Sequence, residues 1–273
     1  MRIVVPVRAV PDLVEEIELT ADETGIDRDY LKFVVSEWDA QALEEALLVK
    51  DSSGADVVAV GLASDPDIDQ ALYTALAKGA DSAVKITDGG DGTGPAGDRA
   101  AGPAGGRAAR PTGDRAALQA GYLAAEPADL VITGVQAADD IDGQLPPMLA
   151  ARLGQPHVSV VVGVTVAEGA IVVRQEFAGG RVHELRVELP AVIGVQAASQ
   201  APRYAPIGRI RQAMQAGELR EVPAHPAAVS PAPAVRRLSR PEQETGAELL
   251  AGSADDVAEA IADLLRGRGL VKG

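Results

Sequence analysis

The feature that most constrains the fold is an alternation of short apolar runs with segments of helical periodicity. The runs lie at residues 3–7, 56–60, 82–86 and 129–133 and consist mainly of Val, Ile, Leu and Ala. Such runs are typical of strands buried on both faces. Helical patterns follow, opening at Ser36, at Asp65–Pro66, at Arg115 and at Pro147. This repeat predicts an α/β fold with a doubly wound, mostly parallel sheet.

The second half of the chain has a different period. From Val158 onward, alternating segments separated by Gly-containing turns predict an antiparallel β meander. Residues 253–266 form an amphipathic pattern capped by Ser253, which predicts a C-terminal helix. We therefore expect an α/β domain over residues 1–221, and a Pro-rich linker with a tethered helix over residues 222–273. That helix either packs on its own domain or embraces a partner subunit.

A segment within the first domain lacks any periodicity. Residues 88–114 are rich in Gly, Ala, Pro and Arg. This composition predicts a disordered surface insertion. A glycine-rich phosphate loop is disfavoured, because the G-x-x-x-x-G-K-[ST] pattern is missing from the segment.

Composition excludes several classes of function. The net charge of −15 argues against nucleic acid as a partner. The absence of cysteine excludes disulfides, zinc–thiolate sites and Fe–S clusters, and three scattered histidines do not suggest a metal cluster. No apolar run approaches the roughly 20 residues of a membrane span. The N-terminus has the pattern of a first strand and not of a signal peptide, so we expect a cytoplasmic protein that is not embedded in a membrane.

The candidate functional segment follows the fourth apolar run and reads GVQAADDIDGQLPPMLAARLG. Three acids, Asp139, Asp140 and Asp142, fall in one loop at the carboxyl end of a predicted strand, where open α/β sheets bind ligands. They fit a solvated turn, a magnesium site, or a rigid nucleotide-binding loop whose acids accept hydrogen bonds from the loop itself. Gly134 and the helix that follows favour the third interpretation, because a helix start offers unpaired N–H groups to a phosphate.

This segment resembles the nucleotide loop of the electron-transfer flavoprotein β subunit, which is usually G-x-Q-A-x-D-D-D-x-x-Q-T-G. Other segments agree in order along the chain. IVVPVRAVPD is similar to V-x-V-K-R-V-x-D, SEWDAQALEEALLVKD to N-P-F-[DC]-E-x-A-[VL]-E-E-A-[VL]-x-[LI]-K-E, and YTALAKGAD to R-x-A-L-A-M-G-A-D. LPAVIGVQAASQAPRYAPI is similar to the family's L-P-A-V-[VI]-[TS]-x-x-x-x-x-N-E-P-R-Y-x-[ST]-L. Together the matches cover nearly the whole chain apart from the insertion.

The resemblance implies an electron carrier and not a catalyst. Its fold would be adenine-nucleotide α-hydrolase-like. The chain would form a heterodimer with an α subunit that makes most of the contacts to FAD. The complex would take electrons from flavin dehydrogenases, such as those of acyl-CoA (fatty acid) oxidation, and pass them to a membrane quinone reductase. A structural AMP would lie at the strand ends of the β subunit.

The resemblance also assigns residues. The cofactor-binding set is expected to comprise Pro6, Ser36, Glu37, Trp38, Asp39, Leu62, Gly134, Val135, Gln136, Ala137, Ala138, Asp139, Asp140, Ile141, Asp142, Gly143, Gln144 and Leu145. Trp38 stands near the flavin, or acts as a hydrophobic staple at a helix start. A partner-docking loop is expected at residues 196–204, with Gln196, Ser199, Pro202, Arg203 and Tyr204. The alternative for Arg203 is a solvated surface position.

Two of the departures from the family pattern bear most directly on function. Ser199 stands where the docking loop of the family carries a leucine that plugs into dehydrogenases. Gln144-Leu145-Pro146-Pro147 replaces Gln-Thr-Gly, so the threonine hydroxyl that would touch a phosphate is missing. Electron-bifurcating relatives carry Gln-Val-Gly-Pro there, bind a second FAD in place of AMP and oxidise NADH, which gives the first alternative.

The second alternative is a stand-alone adenine-nucleotide-binding module of the stress-protein type. The predicted meander, linker and terminal helix disfavour it, because a compact module needs none of them. A hydrolase is poorly supported, because the sequence shows no nucleophile elbow and no Ser-His-Asp arrangement.

Overall fold

The computed structural model describes residues 1–14, 16–27, 31–87, 111–140, 143–217, 219–223, 236–240 and 249–271. They fall into two units, residues 1–237 and residues 238–273, which are described separately.

The strands of the first unit, numbered in chain order, form two sheets. Their bounds are β1 (Arg2–Pro6), β2 (Ala9–Pro11), β3 (Phe33–Val35), β4 (Asp56–Leu62), β5 (Ser82–Thr87), β6 (Leu130–Gly134), β7 (His157–Ala167), β8 (Ala170–Phe177), β9 (Arg181–Glu188), β10 (Ala191–Val195) and β11 (Arg220–Pro223). Within the described ranges, nine strands share one sheet in the order β11-β5-β4-β1-β6-β10-β7-β8-β9. The short strands β2 and β3 pair antiparallel outside it.

Helices cover both faces of this sheet, as the sequence predicts. They are α1 (Glu37–Ser53), α2 (Ile68–Lys78), α3 (Thr112–Ala125), α4 (Leu145–Leu153) and α5 (Ile207–Ala216). The chain runs from β1 outward through β4 to β5, then returns to place β6 on the other side of β1. The fold is therefore doubly wound, and its topological switch point lies beside β1.

Apolar cores on both faces of the sheet explain why the sequences of these strands are continuous apolar runs. Ile3 and Val5 of β1 face a core that contains Leu43 and Leu47 of α1. The intervening Val4 faces the opposite core. Successive side chains of a strand point to opposite faces, so a strand with a core on each side needs apolar residues at every position.

Several helix boundaries differ from the predicted ones. Helix α2 begins at Ile68 and not at Asp65, because Asp65 is buried in an ion pair and does not cap the helix. Helix α3 begins at Thr112, so the last three residues of the predicted insertion are helical. The rest of that insertion, residues 88–110, lies outside the described residues.

The predicted meander is confirmed for strands β7, β8 and β9, which pair antiparallel in succession. Strand β10 behaves differently: it inserts between β6 and β7 and runs parallel to both. All five of its residues are buried, so it suits a central position better than the edge of a meander.

The described part of the second unit contains helix α6 (Ala254–Gly267), close to its predicted bounds. Ser253 caps it in a capping box with Asp256. Ile261 and Leu264 on the predicted apolar face are 46% and 42% exposed. The greater part of the predicted linker, residues 224–235 and 241–248, lies outside the described residues. Among the helices that the structure describes, none is long and apolar enough to cross a membrane.

Candidate functional site

The predicted site residues gather at the carboxyl ends of β1, β4 and β6. Two strand ends at the switch point, those of β1 and β6, are adjacent in the sheet. Strand β1 leads directly into the β2–β3 ribbon, and the ribbon leads into α1. The Ser36 N–H consequently donates to the Arg8 carbonyl at 3.0 Å, which places the start of α1 beside the end of β1.

Gly134 allows β6 to pass very close to the start of α1. A Cβ atom at this position would lie 2.6 Å from Asp39 Oδ1 and 2.8 Å from Trp38 Cβ. The predicted close approach is therefore present, and its partner is helix α1. Only glycine fits here, and its lack of a side chain allows the loop that follows β6 to lie against the start of α1.

Arg8 lies at the centre of the site and was missed by the sequence-based residue set. It is 4% exposed. Its backbone N–H donates to Asp39 Oδ2 at 3.0 Å, and its guanidinium lies 3.8 Å from Asp139 Oδ1. The guanidinium also donates to Asp140 Oδ2 at 3.2 Å. The available signal was a lone arginine just beyond a buried strand, but its partners lie 31 and 132 positions away in sequence.

Asp140 holds the loop after β6 in shape, as the rigid-loop interpretation predicts. In addition to Arg8, its carboxylate accepts hydrogen bonds from Thr112 Oγ1 at 2.9 Å and from the Gly143 N–H at 3.1 Å. One side chain thereby joins the segment after β1, the start of α3 and the C-terminal part of its own loop. The predicted residues Ile141 and Asp142 lie outside the described residues.

Asp39 is held in a nearly dry environment. Burial raises the pKa of its carboxyl to about 6, against the opposing attraction of Arg8. Removing a carboxylate from water disfavours the charged form, and the neighbouring arginine offsets only part of that cost. Asp39 consequently titrates close to neutral pH.

A second buried ion pair lies on the far side of this cluster. Arg115 of α3 donates to both carboxylate oxygens of Asp65, at 2.6 and 2.8 Å. Both residues are almost fully buried. Among the residues that the structure describes, two arginines thus oppose four aspartates at these strand ends: Arg8 and Arg115 against Asp39, Asp65, Asp139 and Asp140.

Two buried polar atoms beside Arg8 lack a hydrogen-bond partner. They are Ser36 Oγ and Asp139 Oδ1. Ser36 occupies the N-cap position of α1, but its hydroxyl does not cap the helix. Buried polar groups are nearly always satisfied. A hydroxyl and a carboxylate oxygen suit the donor groups of a ligand, such as ribose hydroxyls or an adenine amino group.

The start of α4 offers less to a phosphate than the sequence suggested. The second and third residues of the helix are Pro146 and Pro147, which have no N–H. Pro146 is buried, and it leaves no room for a side chain at Gly194 of β10. The Gly143 N–H already donates to Asp140, so the N–H groups left to bind an anion at this helix start are those of Gln144 and Leu145.

The other predicted site residues line the same edge with different exposure. Buried members are Pro6, Leu62, Ala137 and Leu145; Trp38 and Val135 are half-buried; Glu37, Gln136, Ala138 and Gln144 are exposed. The described ranges contain no group of three or more acidic or histidine side chains placed to bind a metal ion.

The predicted docking loop lies elsewhere, packed along α1. Gln196 is exposed just beyond β10, and Pro202 is half-buried. The guanidinium of Arg203 is in ion pairs with Glu44 and Asp51 of α1, and its side chain is 33% exposed. Tyr204 is 78% exposed.

Comparison with known proteins identifies the family of the chain. The electron transfer flavoprotein domain family matches residues 107–227. The electron transfer flavoprotein subunit beta of Methylophilus methylotrophus is 32% identical over 216 residues, which cover 78% of this chain and 76% of the relative. The chain belongs to the electron transfer flavoprotein β-subunit family.

Other members of the family match the chain with similar identity and coverage. The mitochondrial β subunit of Oryza sativa subsp. japonica is 30% identical and is matched over 78% of both chains. The β subunit of Clostridium acetobutylicum is 31% identical, over 77% of this chain and 74% of the relative. The resemblance seen in the motifs is thus confirmed over most of this electron transfer flavoprotein β-type chain.

Proposed function

We propose that this chain is the β subunit of a heterodimeric electron transfer flavoprotein. With its α subunit it holds an FAD, and the bound flavin accepts and releases the electrons. The complex passes electrons from acyl-CoA-type dehydrogenases toward a membrane quinone reductase. Family membership supports the class of protein, and the unsatisfied polar atoms at the switch point support a bound nucleotide in this subunit.

The nucleotide that fits best is AMP. Asp139 Oδ1 and Ser36 Oγ can bind hydroxyl or amino donors of the nucleoside, and the backbone N–H groups of Gln144 and Leu145 can bind its phosphate. Arg8 neutralises the aspartates that would otherwise repel the phosphate. The nucleotide in this proposal is structural, and the chain contributes no catalytic residue.

One observation favours a second candidate, an electron-bifurcating subunit that binds a second FAD and oxidises NADH. Leu145 lacks the hydroxyl that the family places near the phosphate, and the prolines remove two further donors. A site with fewer hydrogen-bond donors to phosphate is expected to be less selective for AMP than the usual family site.

The nucleotide content of the heterodimer separates the two candidates. The chain would be co-expressed with an α subunit from the same genome, and the purified complex denatured for chromatography of released nucleotides. One FAD and one AMP per heterodimer is the expected result. Two FAD and no AMP would establish the bifurcating subunit instead, and a colourless chain that purifies without the α subunit would overturn both.

A further inference from the structure

The buried charges around Arg8 do not balance among the described residues. The guanidinium lies 3.7, 3.8 and 3.2 Å from carboxylate oxygens of Asp39, Asp139 and Asp140, and none of the four side chains is more than 8% exposed. Charges removed from water are costly unless a charge of opposite sign offsets them. Arg8 offsets one of three negative charges, so a proton on one of the carboxyl groups relieves part of the excess.

Asp39 is the member of this cluster whose geometry suits a proton. Its Oδ2 accepts a hydrogen bond from the Arg8 N–H at 3.0 Å, and no other described residue donates to this carboxylate. Its Oδ1 lies against Gly134, where it would be 2.6 Å from an added Cβ atom. A proton on Oδ1 consequently leaves the hydrogen bond at Oδ2 in place. Asp140, in contrast, accepts three hydrogen bonds, which favour its ionised form.

The surroundings of Asp39 set its proton affinity. The charged groups around it come from four segments: Arg8 after β1, Asp65 after β4, Asp139 and Asp140 after β6, and Arg115 of α3. Burial has the largest effect and raises the pKa of Asp39 to about 6; Asp139 acts in the same direction, and both arginines act against it. Without a ligand, Asp39 is therefore mostly ionised at pH 7.5, and a modest further rise of its pKa protonates it.

A bound nucleotide would raise the affinity of Asp39 for that proton. The nucleotide proposed for this site would meet two buried acceptors that lack a hydrogen-bond partner, Ser36 Oγ and Asp139 Oδ1. Its phosphate brings further negative charge to the strand ends, and the nucleotide excludes water from them. Both changes disfavour an ionised carboxylate. Binding of the nucleotide and binding of a proton therefore favour each other.

We propose that Asp39 links nucleotide binding to proton uptake: its carboxylate takes one proton from solvent when the nucleotide binds, so the site holds its ligand more tightly as the pH falls from 8 toward 6. This inference rests on the proposed function, because it takes AMP as the ligand. It adds that the chain releases its nucleotide more readily at alkaline pH, through a single carboxyl group in the first turn of α1.

A proton count on binding gives the first test. AMP would be titrated calorimetrically into the nucleotide-depleted heterodimer at pH 7.5, in two buffers that differ in their enthalpy of ionisation. Asp39→Asn reproduces the neutral form, because its amide oxygen can accept from the Arg8 N–H as Oδ2 does. We expect the wild type to take up about half a proton or more beyond the uptake of Asp39→Asn.

The dependence of affinity on pH gives the second test. The Kd for AMP would be measured from pH 6 to pH 8 in the wild type and in Asp39→Asn. Protonation of AMP itself affects both proteins alike and cancels in the ratio of their Kd values. We expect the wild type to bind nearly as tightly as the variant at pH 6 and about tenfold more weakly at pH 8. Glu168→Gln, in the exposed turn between β7 and β8, is the charge-matched control and should follow the wild type.

Two results would overturn the inference. One is an equal proton count and a constant ratio of Kd values in the two proteins; the other is weaker binding by Asp39→Asn at every pH, which would mean that the ligand needs the ionised carboxylate. If Asp39→Asn does not fold, Asp139→Asn replaces it: losing that charge lowers the pKa of Asp39, so proton uptake at pH 7.5 should fall, and an unchanged count would contradict the coupling. Failure of the proposed function looks different, because the wild type would then bind no AMP at any pH.

Discussion

At the scale of single residues, Gly134 is a position where the structure leaves no room for a larger side chain. An added methyl group would collide with the backbone and side chain of Trp38 and with Asp39. We expect Gly134→Ala to lower the free energy of unfolding by about 1–3 kcal/mol, as overpacking does. Gly208→Ala is the matched control, because its added methyl group meets no atom within 4 Å and lies in α5. Urea denaturation of the full chain measures both, and equal midpoints would contradict the packing argument.

Asp39 makes the free energy of unfolding depend on pH. Its pKa is raised to about 6, so below that pH the folded state binds a proton more tightly than the unfolded chain does. This group alone therefore makes the protein more stable as the pH falls from about 6 toward 4, by about 1.4 kcal/mol for each unit of pKa difference. Asp39→Asn cannot titrate and removes the contribution.

The comparison of wild type with Asp39→Asn isolates this effect, because the other acids titrate in both proteins. The difference in unfolding free energy, wild type minus variant, should increase as the pH is lowered from 7.5 to 4.5. Denaturant midpoints at intervals of half a pH unit would show it. Parallel pH profiles would mean that Asp39 titrates normally in the folded protein.

At the scale of elements, the buried pair of Arg115 and Asp65 joins α3 to the segment after β4. Removing one partner leaves a buried charge unpaired, so Arg115→Met or Asp65→Leu should each cost about 3–5 kcal/mol. The double variant Arg115→Met/Asp65→Leu should recover most of this loss, because apolar side chains of similar size remove both charges together. Thermal unfolding of all four proteins forms the cycle, and simple additivity of the single losses would show that the pair is not coupled.

The elements themselves were largely predictable, since they depend on local periodicity. The apolar runs of β1, β4, β5 and β6 and the capping box at Ser253 need no long-range information. The boundary of α2 was wrong because Asp65 looks like a helix cap until its partner Arg115, fifty positions away, is known. The role of Arg8 could not be predicted for the same reason. A charged residue shows its role only through its partners, and a single sequence does not specify which distant residues those are.

At the scale of the whole molecule, the proposed nucleotide site joins segments that are remote in sequence. Residues from β1, α1 and the loop after β6 meet only in the folded chain, so a ligand bound there should stabilise the fold as a unit. A ligand that binds only the folded state contributes RT ln(1 + [L]/Kd), or about 2.7 kcal/mol at a concentration of 100 Kd. Nucleotide should therefore raise the melting temperature of protein from which it has been removed.

Adding AMP to the nucleotide-depleted heterodimer tests this dependence and the identity of the ligand together. We expect the melting temperature to rise with AMP concentration, and above Kd to keep rising with the logarithm of that concentration. In Arg8→Met the rise should be lost, because three aspartates at the site would lose their common cation and repel the phosphate. Glu168→Gln should respond as the wild type does. A response to added FAD but not to AMP would contradict the AMP assignment, since it would show that the strand ends accommodate a dinucleotide despite the two prolines at the start of α4.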